Sequence, residues 1–491
     1  MNILNGLSKN PYWKLTKFLA PLALTATVQD VGEQALNRSL VAKSTREGLV
    51  ALAAFTIAYK ILYFLIGALE DSKYMNLVLV RNQKDRRKLL FFNFLLALVS
   101  ASLLVVSGTT EFGVYVVDRL HKVDTETGVQ TRKAMLLLSA YPVIDSFIWP
   151  HLGLLCKFKY SLVIGLSCVM DIATKVLVVI IFVSANVQIN TLYIAITAAY
   201  ISQFVRGTII LAAYYKYINK EITEGIFDPQ TQEEGDLKMW TILKMFLPLL
   251  AVRLVQRCTR PVINVFVSRQ RPPGTDESYS VEQLAVLAIC FSVPRVPYSW
   301  LNELKALEPT FGKKDENGHR EVSIKNIRIF GVCCTLFSAS MQLILFWIPD
   351  ILLPLVIKVS NVSEDVALLT VTPLKLSVVF SFTAGFRDLL TGWVYKKRKN
   401  HLLYPGIVIR TITLIVVVVS YPKLGLYGAT MGISALATTI FSGSFTLVII
   451  CLYVGRKEKL KKRRECLVDE EGELSNGNSL EKTKNEEIEL F

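Results

Sequence analysis

From Phe18 onward the chain alternates long apolar runs with short hydrophilic breaks, and a run of about 20 apolar residues is what a helix needs to cross a bilayer. Counting such runs predicts spans near 14–38, 47–68, 88–108, 133–155, 160–184 and 189–215, then 239–268, 282–304, 326–348, 366–394, 403–420 and 424–454. A polar segment from Glu221 to Lys238, "EITEGIFDPQTQEEGDLK", falls after the sixth run and reads as a linker. The expected architecture is therefore all-α and polytopic, with twelve transmembrane helices in two six-helix lobes. Residues 1–13 form a cytoplasmic N-terminus, 14–217 the N-lobe, 218–238 the linker and 239–454 the C-lobe. Residues 455–491 are polybasic and then acidic, cannot bury a core, and are expected to be disordered.

The two halves repeat. When "WKLTKFLAPLALTATVQDVGEQALN" is laid on "WTILKMFLPLLAVRLVQRCTRPVIN" without a gap, Trp13/Trp240, Lys17/Lys244, Pro21/Pro248, Leu22/Leu249, Val28/Val255, Gln29/Gln256 and Asn37/Asn264 coincide. Six spans per half give both repeats the same orientation. The lobes are then related by a pseudo-two-fold axis along the membrane normal, and the first and seventh spans face each other.

Composition agrees with the membrane reading: 52% of residues are hydrophobic and the mean hydropathy is +0.42. A net charge of +15 would point a soluble chain toward nucleic acid. Here the basic residues fall in the breaks "KYMNLVLVRNQKDRRK", "KFK", "KKDENGHR", "KKRKN" and "RKEKLKKRR", all on one side when the N-terminus is placed inside. Both termini are thus expected in the cytoplasm, no nucleic-acid partner is expected, and the basic part of the tail is expected to touch anionic inner-leaflet lipid. The first span lacks a small-residue cleavage pattern and is expected to act as a signal anchor. The sequon at Asn361 falls in a predicted outer loop and is a glycosylation candidate. The eight cysteines form no CxxC pair and no cluster with histidine, so no metal or other cofactor is expected. The motifs GxxxxGK[ST], GxSxG and HExxH are absent, and no acidic cluster could hold the magnesium ions of a membrane pyrophosphatase. The chain reads as a non-enzyme.

One stretch breaks the apolar pattern: "QDVGEQALNR", Gln29 to Arg38, sits inside the first span. Gln29, Glu33 and Asn37 are spaced i, i+4, i+8 and form one helical stripe, as do Arg253, Arg257, Arg260 and Asn264 on the seventh span. Asp30 aligns with Arg257 and Glu33 with Arg260, so the halves carry opposite charge at equivalent depth. A charge at the bilayer centre costs about 2.5–3.5 kcal/mol even on the lenient insertion scale, so both stripes are expected to face inward. Arg206 and Arg387, with Arg38 and Arg295, add more cation than Glu33 and Asp30 balance. That excess favours an anionic ligand whose phosphate or carboxylate oxygens match the guanidinium fork. The candidate substrate-binding residues are Gln29, Glu33, Asn37, Arg206, Arg253, Gln256, Arg257, Arg260, Asn264 and Arg387. A simpler alternative makes Glu33 and Arg260 an ion pair that only holds the lobes in register. Pro261 cannot donate to the carbonyl of Arg257, which predicts a kink there, and Pro21 with Pro248 completes the set of candidate hinges.

The segments "GEQALNR" (Gly32–Arg38), "RPVINVFVSR" (Arg260–Arg269), "VPYSWL" (Val296–Leu301), "LTGW" (Leu390–Trp393) and "YGATMG" (Tyr427–Gly432) resemble the progressive ankylosis protein family. The similarity runs from about Tyr12 to the polybasic tail. It implies a multi-pass plasma-membrane protein that exports pyrophosphate, or ATP and citrate, and so limits extracellular mineralisation (biomineralisation). It also implies the two-lobe fold of the multidrug and oligosaccharidyl-lipid flippase superfamily. Residues matching the family pattern include Glu33, Asn37, Arg38, Arg206, Arg260, Asn264, Arg387 and Arg410, which places the anion site at Glu33, Arg260 and Asn264. Arg295 in "VPRVPYSW" departs from the expected histidine and leaves the choice among these anions open. The leading expectation is an alternating-access exporter of small polyanions. The alternative is a lipid or drug flippase, or a regulator of nucleotide release through other machinery.

Overall fold

The computed structural model describes residues 10–41, 46–119, 125–184, 191–224, 236–270, 272–274, 277–312, 320–360 and 362–475. The side chains at 29–49, 52, 183, 277, 278, 280, 281, 359, 462 and 465–475 lie outside this description. Asn361, the glycosylation candidate, also lies outside the described residues.

The N-terminal half folds as α1 (Pro11–Val41), α2 (Arg46–Glu70), α3 (Ser72–Leu79), α4 (Gln83–Thr109), α5 (Thr125–Leu137), α6 (Tyr141–Lys157), α7 (Ser161–Ser184) and α8 (Thr191–Tyr217). The C-terminal half folds as α9 (Met239–Arg269), α10 (Glu277–Ser292), α11 (Ile324–Trp347), α12 (Pro349–Ser360), α13 (Glu364–Leu376), α14 (Val379–Lys396), α15 (Tyr404–Ser420) and α16 (Gly428–Ser475). Among the described residues nine helical segments are long and apolar enough to cross a membrane, and the pair α13 and α14, bent by 41°, makes a tenth. The other two expected spans are helical as well. One is α1, which carries the polar stretch, and the other is α5 with α6, which a tight turn at Leu138–Ala140 interrupts.

The repeat is visible in the backbone. The lead helices α1 and α9 each contain 31 residues. Helices α6 and α14, fourth spans of their halves, end in the same way, with a basic residue in the left-handed region: Lys159 at φ 64° and Arg398 at φ 56°. In the first, Tyr160 N donates to Leu155 O (2.8 Å) and Lys159 N to Cys156 O (3.0 Å). In the second, Lys399 N donates to Val394 O (3.1 Å) and Arg398 N to Tyr395 O (2.9 Å). Both are the two-bond helix stop that uses up orphan carbonyls, with a cation at the negative end of the helix dipole.

Three apolar clusters organise the packing. Phe55, Leu62, Met135 and Tyr141 belong to a core wholly inside the N-terminal half, and Ile263, Leu287, Phe346 and Met431 to one wholly inside the C-terminal half. A third cluster joins the halves and takes in Leu15, Met75, Tyr214, Ile242, Leu301 and Cys451. Its cross-lobe ring contacts are Phe18 on Phe311 (5.3 Å), Tyr74 on Tyr395 (5.2 Å) and Phe92 on Phe246 (5.2 Å). Every residue of this shared cluster lies near the basic loops, so the lobes are closed against each other at that end. The polybasic segment, expected to be disordered from Arg456, instead continues α16 as far as Ser475. Lysine, arginine and glutamate are strong helix formers, and Lys397 (3.2 Å) and Lys399 (2.5 Å) hold Glu458 at its base.

Candidate functional site

Helix α9 stands at the lobe interface because its middle carries both apolar and cationic positions. Leu249, Val252 and Val255 face inward beside Arg253 and Gln256. Together with α14, α15, α16 and the α2–α3 junction they line a cavity of about 670 Å³ that is partly open to solvent. Among the described residues its walls carry four cations, Arg253, Lys305, Arg387 and Arg410, against two carboxylates, Asp71 and Asp388.

Each charge has a definite setting. Arg253 donates through Nε to Asp71 Oδ2 and through a terminal nitrogen to Asp71 Oδ1, both at 2.7 Å, which makes a fork across the lobes. Arg387 makes the same kind of fork onto its neighbour Asp388, at 3.0 Å twice, and also reaches Asn302 Oδ1 at 3.4 Å. Lys305 Nζ lies 3.3 Å from Asp388, so that carboxylate serves two cations. Arg410 is 9% exposed, and its Nε has no hydrogen-bond partner among the described residues. It fits there because α15 and α16 meet at glycines: a Cβ on Gly443 would lie 3.2 Å from Arg410 Cβ and 3.2 Å from the Gly406 carbonyl.

Of the residues expected from the sequence, Arg253, Gln256 and Arg387 come together in this cavity. Arg257, one turn on, does not line it. Its guanidinium donates to Glu70 of the N-lobe at 3.0 Å and packs on Gly67, where an added Cβ would lie 2.7 Å from it and push the guanidinium aside. Arg260 points elsewhere, over the Phe291 ring at 5.1 Å, and Asn264 is exposed. The arginine stripe is one face of α9, but the cavity spans only Leu249 to Gln256 along that face. Arg206 lies inside the N-lobe, buried, 5.1 Å over the Trp149 ring. Gln29, Glu33 and Asn37 belong to α1 by backbone, and their side chains lie outside the described part of the structure. Pro21 lies within α1, and α9 runs unbroken through Pro248 and Pro261.

Four charged lining residues were absent from the candidate binding set, Asp71, Lys305, Asp388 and Arg410, of which the family resemblance had named only Arg410. A sequence signal existed for Arg410, a lone cation in the apolar run "YPGIVIRTITLIVVVVS".

A family model described as Progressive ankylosis protein (ANKH) matches residues 3–348. Among solved structures, an outward-facing multidrug resistance MATE family transporter of the MOP superfamily superposes with a TM-score of 0.64 at 14% identity, covering 93% of this chain and 98% of that one. The eukaryotic MATE transporter AtDTX14 gives 0.63 at 13% identity, covering 92% and 98%. A MOP superfamily transporter from Pyrococcus furiosus, for which reverse polarity of the binding pocket suggests a different function, gives 0.56 at 14%, covering 90% and 95%. At these identities the likeness is one of fold.

Proposed function

Because this chain belongs to the progressive ankylosis protein family, and because the described residues of its cavity hold more cation than carboxylate, we propose that it moves small polyanions across the membrane by alternating access. Pyrophosphate, ATP and citrate are the proposed cargo, exported across the plasma membrane with both termini cytoplasmic and mineral deposition outside held down as a result. The carrying observation is Arg410, a buried guanidinium beside the cavity whose Nε has no hydrogen-bond partner among the described residues. A desolvated cation is costly unless something anionic completes its shell, and a phosphate or carboxylate oxygen does so with charge-assisted hydrogen bonds.

The binding set that the geometry supports is Arg253, Gln256, Lys305, Arg387 and Arg410, with Asp71 and Asp388 tuning it. Glu33, Asn37 and Gln29 of α1 and Arg257, Arg260 and Asn264 of α9 are proposed contributors in other states of the cycle. Arg206 is proposed to act within the N-lobe, and Pro21, Pro248 and Pro261 are proposed hinges. The two-lobe fold supports rocking about the interface, as inverted or parallel repeats do in other carriers.

The test is release from liposomes that contain the purified full chain and are loaded with labelled pyrophosphate, ATP or citrate. Protein-dependent release of at least one of them, lost in Arg253→Gln, is the expected result. Transfer of labelled phospholipid between leaflets without anion release would identify a flippase instead. No movement of either would favour a regulator of nucleotide release.

A further inference from the structure

We infer that Asp71 is an internal surrogate for the transported anion: an anionic group of the cargo takes its place on Arg253 and by doing so unlatches the two lobes. This rests on the anion-carrier reading above.

The fork between Arg253 and Asp71 has the geometry a phosphate or carboxylate would adopt, with two nitrogens on two oxygens at 2.7 Å each. Both partners line the cavity, so the place where cargo would find its best cation is occupied by a side chain of the other lobe. Asp71 is 3% exposed and sits between α2 and α3, next to Glu70, which holds Arg257 at 3.0 Å and lies 3.7 Å from Arg253. A second cross-lobe pair, Lys73 with Glu303 at 2.5 Å, lies two residues further along the chain and is not among the lining residues of the cavity. The lobes are therefore held together at the basic-loop end by cross-lobe ion pairs, and in one of them a carboxylate engages the cavity's own Arg253.

When cargo displaces Asp71, Arg253 keeps a partner and Asp71 loses one. A buried carboxylate without its partner is strongly unfavourable, and movement of the N-lobe away from α9 relieves it by letting Asp71 reach water. Cargo thus discriminates between the two states through one contact, which is the requirement for a ligand to shift a conformational equilibrium. Glu303 supplies a control, since its loss loosens the same interface without freeing a cavity cation.

The experiment uses the full chain in nanodiscs, with Cys258, Cys333, Cys334 and Cys466 replaced by serine and spin labels at Lys220→Cys and Lys457→Cys, one on each lobe at the basic-loop end. Pyrophosphate is the probe, and its affinity is measured in parallel by calorimetry. In the parent protein, saturating pyrophosphate lengthens the inter-label distance. Asp71→Asn shows the long distance without pyrophosphate and binds it at least about tenfold more tightly, because the competitor is gone. Asp71→Glu retains the parent behaviour, and Glu303→Gln lengthens the distance with affinity changed less than threefold. If Asp71→Asn alters the distance but not the affinity, or neither, surrogacy is wrong while the carrier reading stands. If no variant binds pyrophosphate, both fail, and any opening in Asp71→Asn then reports a simple clamp.

Discussion

Arg410 is the residue on which the anion reading turns. Its guanidinium is buried, and the carboxylates of the cavity are already committed: Asp71 to Arg253, and Asp388 to Arg387 and Lys305. Arg410→Gln keeps a polar side chain but removes the positive charge and the Nε donor, so pyrophosphate affinity should fall at least about tenfold. Thr241→Ala, exposed near the start of α9 and outside the cavity, should change it less than twofold, and calorimetry on both variants checks the contrast. Equal losses would remove Arg410 from the site. The residues that sequence reasoning found share a simple signal. Arg253 and Gln256 belong to a polar stripe on an apolar helix, and Arg387 is a charge inside a predicted span. Asp71 falls just past the predicted span 47–68, where no linear pattern marks it, and only the folded chain brings it under Arg253. Asp388 and Lys305 are far apart in sequence, and nothing in either segment announces the shared contact.

At the scale of the element, the paired helix stops after α6 and α14 are the clearest local mark of the internal repeat. A non-glycine residue in the left-handed region costs roughly 1 kcal/mol relative to glycine. Lys159 also crosses to Glu321 of the other lobe, as Arg398 does to the Val78 carbonyl at 3.3 Å, which keeps a long cation at each stop. Comparing Lys159→Ala with Lys159→Gly separates the two effects, since both lose the cross-lobe pair and only alanine keeps the strain. The glycine variant should be more stable by about 1 kcal/mol, seen as a higher midpoint in thermal unfolding of the detergent-solubilised chain. Identical midpoints would mean that the turn relaxes. The periodicity of the sequence located these helices well, because apolar runs of membrane length have few alternatives. It misjudged where α16 ends, since the charged composition that argues against a buried core is equally compatible with an exposed helix.

For the whole molecule, the arrangement of the cores sets what can move. Each lobe keeps a private core, and the shared cluster lies entirely at the basic-loop end, so a rocking motion has to break that cluster and the ion pairs beside it while leaving the two lobe interiors intact. The repeat in the sequence announced two lobes, but the end at which they meet depends on cross-lobe contacts that no linear pattern carries. Charge then fixes the energetics of a full cycle. The cavity's own four cations and two carboxylates go out and come back, so their contribution cancels and only the cargo's charge counts. A ligand of about three negative charges leaving a compartment held near −60 mV gains roughly 4 kcal/mol, close to a thousandfold in gradient, without a coupled ion. Efflux of labelled pyrophosphate from liposomes with potassium and valinomycin setting the potential should therefore rise steeply as the interior is made negative. It should change little when a pH gradient is imposed at constant potential. The opposite pattern, indifference to potential with acceleration by a proton gradient, would replace the uniport with proton coupling, for which Glu33 on α1 is the first side chain to neutralise.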